Sequence, residues 1–148
     1  MLLLSLLIAC KPTPVDLSER LESGEVRAGV IENDDALFGG ISAEGRVGDI
    51  KIYNDRAQFI IQGIREGGYY ISQGGIPIDA DIVRPANQPG RDLVDEWGSM
   101  FGIGRLLDPE SIEVLSDGSD GEAAHVRVSG RESPMTLLTG AIEVDIIQ

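Results

Sequence analysis

Apolar runs in this chain are short, and glycines are spread between them. Glycine fills 19 of the 148 positions, nearly twice the usual share of about 7%. A helical bundle is poorly served by such a composition, because a glycine inside a helix weakens it by about 1 kcal/mol. Short strands joined by tight turns use it well. The spacing of the apolar residues agrees. In residues 25–31, Val26, Ala28 and Val30 alternate with Arg27 and Gly29. Residues 49–53 put Ile50 and Ile52 on one face and Lys51 on the other. The turn Asn54-Asp55-Arg56 leads into residues 58–64, where Phe59, Ile60 and Ile61 form a continuous apolar run. This pair reads as a β-hairpin. Residues 69–72 and 76–78 are short strands beside the doublets Gly67-Gly68 and Gly74-Gly75.

Further strands follow the same rule. Residues 111–115 turn Ile112 and Val114 inward, and Asp117-Gly118-Ser119-Asp120-Gly121 is a turn on composition. Ala124, Val126 and Val128 then alternate with His125, Arg127 and Ser129, which gives a second hairpin. Residues 141–147 set Ile142, Val144 and Ile146 opposite Glu143 and Asp145. One segment changes period. In residues 92–101, Leu93, Trp97, Met100 and Phe101 fall at helical spacing. Asp92 is placed to cap that helix, Asp95 and Glu96 lie near its positive end, and Gly102 ends it. The predicted fold is mostly β: an antiparallel β-sandwich with one short helix near residues 92–101.

The N-terminus carries a different signal. Residues 2–10 read LLLSLLIAC, and Cys10 is the only cysteine. The stretch is far shorter than the roughly 20 apolar residues needed to span a bilayer. It has the length of a signal-peptide core ending at a small residue. Leu7-Ile8-Ala9-Cys10 resembles the lipobox of bacterial lipoproteins. The resemblance implies that residues 1–9 are a signal peptide, and that Cys10 takes lipid on its sulfur and becomes the first residue. A thiolate suits that alkylation. More than one acyl chain is needed for stable anchoring, and Cys10 would carry two or three. Lys11 does not match the aspartate that retains such proteins at the inner membrane, so an outer-membrane address is favoured. Only Met1 precedes the leucines, where positive charge is usual, and a start codon further upstream is expected.

Residues 10–24 then read as a lipidated tether. Asp16 and Glu19 are spaced to cap a short helix with Leu17 and Leu21 on one face, and Gly24 ends it. Residues 25–148 form the β domain. Its last residues, 143–148, stop in mid-strand by pattern, which fits either a truncated domain or a final strand closing the sheet.

Three segments of the domain resemble the N-terminal β domain of large envelope lipoproteins of myxobacteria and their relatives. They are residues 48–62 (GDIKIYNDRAQFIIQ), 74–84 (GGIPIDADIVR) and 117–121 (DGSDG). The resemblance covers roughly residues 40–132, and its motifs are structural. It implies that any chemistry belongs to later modules, some of them like metallohydrolases.

Charge and composition narrow the function classes. A net charge of −13 argues against nucleic acid, whose phosphates must be neutralised by Lys and Arg. It also argues against adhesion of the protein surface to anionic lipid. With Cys10 lipidated, no thiol is left for a disulfide or a metal.

The candidate sites are few. Asp79 and Asp81 share a face if their segment is extended, and two carboxylates so placed suit a hard cation such as Ca2+. The stronger expectation is a solvated strand edge with Arg84 as partner. Asp92, Asp95 and Glu96 belong to a helix start before a metal. The DGSDG run lacks the EF-hand spacing and its closing glutamate. His125, the only histidine, lies beside Arg127 on a polar face and has no second imidazole to share a metal with. No Gly-x-Ser-x-Gly elbow, P-loop or dinucleotide fingerprint occurs. The doublets Gly39-Gly40, Gly67-Gly68 and Gly74-Gly75 are expected to supply positive φ in turns. Tyr69, Tyr70 and Trp97 are candidates for a sugar-stacking platform. The expected protein is a lipid-anchored, non-catalytic structural or binding module of the envelope, with a polysaccharide or protein partner and no cofactor. The alternatives are the N-terminal piece of a larger envelope hydrolase and a carbohydrate-binding domain.

Overall fold

The computed structural model describes residues 15–67, 71–102 and 104–135. Among these residues six strands, all paired antiparallel, form two sheets. The first sheet has the order β1-β2-β3-β4, with β1 at Val26–Val30, β2 at Ile50–Asn54, β3 at Ala57–Ile61 and β4 at Pro77–Ile82. The second is a long hairpin of β5 (Arg105–Ser116) and β6 (His125–Pro134). The mostly β class is borne out, with two antiparallel sheets of the kind from which a β-sandwich is built. The strand expected at 69–72 does not form over the described Ile71 and Ser72, and the one expected at 141–147 lies outside the described residues.

Both predicted hairpins form. Between β2 and β3, the Asn54 side chain accepts hydrogen bonds from the amides of Arg56 and Ala57, at 2.8 Å each. Between β5 and β6, Asp117 accepts from the amide and hydroxyl of Ser119. Gly118 and Gly121 take φ of +78° and +85° there. The tip of this hairpin is tied back to the first sheet. The Ala28 amide donates to the Asp117 carbonyl at 2.9 Å, and Arg27 donates to the carbonyl of Gly118.

Register decides which face of the first sheet is covered. Lys51 pairs with Gly29 and Ile60, and Ile60 with Asp79, so these residues share one face with Tyr53. Ile52 pairs with Ala28 and Phe59 on the other face. Ile60 is wholly buried and Lys51 is 5% exposed, whereas Ile52 and Phe59 are half-buried. The face that carries the lysine holds Tyr53 and Ile60 of the main cluster and is the more closed one, although Ala28 and Ile50 are buried on the other. The lysine is accommodated by main-chain acceptors. Its Nζ donates to the carbonyls of Leu17 (2.9 Å) and Ala36 (2.8 Å) and lies 4.5 Å from the centre of the Tyr53 ring. Burial lowers its pKa to about 8 against the opposing charge of Asp16.

The first of these acceptors, Leu17, belongs to the segment expected to be a tether. Leu17 and Leu21 are buried in the main cluster with Ile31, Tyr53, Ile60, Ile76, Ile78 and Leu106. Residues 15–24 are thus part of the folded domain and not a free tether. They form no helix either. Asp16 turns back on Ser18, Glu25 accepts from the Glu22 amide, and the carbonyls of Leu17 and Glu19 are taken by Lys51 and Tyr53.

The helix predicted at residues 92–101 is also absent. Its backbone donors are used elsewhere. The Trp97 amide donates to the Pro77 carbonyl at 2.8 Å, and Asp92 pairs as an isolated bridge with Gly40. Asp92 does accept from the Val94 amide as a cap would, yet the same oxygen also accepts from Ala80 of β4. The segment is drawn out along the edge of the sheet, and tertiary bonds override the helical pattern. Gly98 lets it pass close by, since a Cβ there would overlap the Ile71 side chain.

Candidate functional site

Straightening residues 92–101 has a consequence for their apolar side chains. On a helix they would have shared a buried stripe. Here Leu93, Trp97, Met100 and Phe101 are all exposed, Trp97 by 69% and Phe101 by 50%. Trp97 and Phe101 rim a groove of about 300 Å³ whose walls include Ile71, Ile76, Pro77, Leu106 and Val128. The groove lies where the start of β4 meets the hairpin. Gly75, at φ +72°, keeps that junction close, because a Cβ would meet Val128 at 2.8 Å and Pro109 at 3.1 Å. Exposed large apolar side chains beside an apolar concavity mark a contact site more often than chance surface. Of the predicted aromatic platform, Trp97 therefore stands at a groove, while Tyr69 and Tyr70 lie outside the described residues. Cys10 lies outside them too.

A larger cavity, about 440 Å³, opens on the closed face beside Lys51, Tyr53, Gln58, Asp81 and Arg84. Of its charged groups, Lys51, Asp81 and Arg84 already have protein partners. Lys51 holds two carbonyls, as above. Asp81 accepts from Arg84 Nε (3.0 Å) and Nη2 (2.7 Å) and from the Arg91 amide (2.8 Å). Burial by itself would raise the Asp81 pKa, but the Arg84 hydrogen bonds and the amides outweigh it and hold the carboxyl below its ordinary range. Arg84 is thus the partner expected of Asp81.

Asp79 departs from expectation. It is 0% exposed and is no part of a solvated edge. Its two oxygens accept from the amides of Glu44 and Gly45, at 2.9 Å each. Burial pushes its pKa up to about 6 despite those bonds, and the charges of Asp92 and Asp49 add to the rise. Asp79 and Asp81 therefore serve different partners. Among the described residues, no three His, Cys, Asp or Glu side chains come together as a metal would require.

The burial of three charged groups is not foreshadowed by the expectations above. Asp49 is buried and accepts from the amides of Arg46 and Gly63 and from Arg65 Nε and Nη2. Asp92 is buried with Oδ2 unpartnered. Lys51 is buried on the closed face. A signal existed for Lys51: the chain has only two lysines, Lys11 and Lys51. Its surface cations are otherwise arginines, so a lysine between two isoleucines is out of place on an ordinary solvent face. Glu96, read as part of a helix start, accepts instead from the Ile71 amide at 3.0 Å. His125 is exposed beside Arg127 on β6, as predicted. Gly74 and Gly75 take positive φ, but Gly40 does not; it is required because Asp92 backbone atoms pass where a Cβ would stand.

No protein-family model, no curated protein and no solved structure matches this chain.

Proposed function

We propose that this chain is a lipid-anchored protein of the bacterial envelope whose β domain is a non-catalytic binding module. The observation that carries the binding role is the exposed Trp97 indole at the rim of an apolar groove. An indole exposed to this degree contributes little to folding and offers a large flat face to a ligand. The groove walls are aliphatic, so the ligand presents an apolar surface of its own. The C–H face of a sugar ring in an envelope polysaccharide meets that requirement. The anchor is supported by Leu7-Ile8-Ala9-Cys10, and outer-membrane attachment by Lys11.

Trp97 is the only tryptophan, so its fluorescence reports on this groove alone. Titration with solubilised envelope polysaccharide is expected to shift and enhance the emission with saturation. Trp97→Ala is expected to abolish capture on immobilised polysaccharide while leaving the unfolding midpoint within the range of a surface change, about 0.5 kcal/mol. Equal capture by wild type and Trp97→Ala would contradict the reading.

A further inference from the structure

The loop from Gly39 to Gly45 is fastened to β4 by two buried aspartates. Asp92 fastens it through its backbone: its amide donates to the Gly39 carbonyl, and its carbonyl accepts from Ser42. Asp79 fastens it through its side chain, which takes the amides of Glu44 and Gly45. Gly45 is fitted to this grip, since a Cβ there would meet Asp79 Oδ2 at 2.7 Å and Ile60 at 2.5 Å. Among the described residues no Lys or Arg forms an ion pair with Asp79. The charged groups around it are otherwise engaged or of the same sign. Asp49 is paired with Arg65. Asp81 is paired with Arg84. Asp92 is a third buried carboxylate, and Lys51 stands beyond Ile60, bonded to Leu17 and Ala36. Glu44 on the loop and Arg46 just after it contribute amides here, the latter to Asp49.

We propose that Asp79 is a proton-operated latch on this loop: proton uptake tightens the loop against β4, and proton loss loosens it. The two effects at the site oppose each other. Amide hydrogen bonds favour the ionised carboxylate, while burial next to like charges favours the neutral acid. Burial is the larger, which is why the pKa is raised from 3.8 to about 6. When the loop opens, the carboxyl meets water and returns toward its ordinary value. The closed state therefore binds the proton more tightly. Its advantage is full below the ordinary pKa and is lost as pH rises through about 6. The latch is independent of the Trp97 groove, which lies on other residues.

The test is amide hydrogen exchange of the whole chain, corrected for intrinsic rates, in a His125→Gln background so that no imidazole titrates. Between about pH 7.5 and pH 5, protection of the Glu44 and Gly45 amides is expected to rise roughly ten-fold. The Gly63 amide, held by the ion-paired Asp49, is the internal reference. In Asp79→Asn the pH dependence at Glu44 and Gly45 is expected to vanish. If that variant does not fold, the wild-type comparison decides alone. Unchanged or reduced protection at pH 5 would overturn the proposal. So would equal protection produced at pH 7.5 by millimolar Ca2+, which would make the site a cation site.

Discussion

Asp49→Ala is expected to destabilise the domain by about 3–5 kcal/mol, the range for breaking a buried ion pair from one side. Asp49 is 1% exposed and its partner Arg65 is 24% exposed. The carboxylate also accepts the amides of Arg46 and Gly63 at 2.9 and 2.8 Å. Removing it leaves a partly buried guanidinium without its counter-charge and two amides without acceptors. It also releases both connections that flank β2 and β3, since Arg46 precedes β2 and Gly63 follows β3. Urea denaturation checks this through a lower midpoint at unchanged slope. A loss below about 1 kcal/mol, the value of an exposed pair, would contradict the burial assigned to Asp49.

Ile60→Ala is expected to cost about 2–5 kcal/mol, and Phe59→Ala less than half as much. The usual order for these residue types is the reverse, because phenylalanine buries more area. Here Ile60 is wholly buried among Leu17, Tyr53, Ile78 and their neighbours, while Phe59 is half-buried on the opposite face. The pair of variants therefore reads which face of the first sheet is closed. Phe59→Ala proving the more damaging would place the core on the wrong side.

That face was not legible in the sequence, although most of the described strands were. Period-two alternation and Asn54-Asp55-Arg56 located β2 and β3, and DGSDG located the tip of the long hairpin, because local chemistry suffices for turns. Alternation says that Lys51 opposes Ile50 and Ile52; it does not say which side is covered. The cover comes from Leu17, Leu21 and Ala36, and the carbonyls of Leu17 and Ala36 satisfy the lysine. Such long-range acceptors leave no trace in the spacing around residue 51. The same limit explains residues 92–101. Their helical spacing is real, but Trp97 donates to Pro77 and Asp92 to Gly39, and these bonds outweigh a marginal ten-residue helix. The reversal exposed the groove side chains. Asp79 was located as a candidate for its charge, and its burial and its grip on Glu44 and Gly45 depend on a loop 34 residues away in sequence.

In the proposed function, lipid on Cys10 holds the domain at the envelope. Metabolic labelling with a fatty-acid probe in a bacterial host tests it most directly, reading the label on the full chain in the membrane fraction. The wild-type chain is expected to incorporate the probe and sediment with membranes, and Cys10→Ser to do neither. Equal labelling of wild type and Cys10→Ser would contradict the anchor.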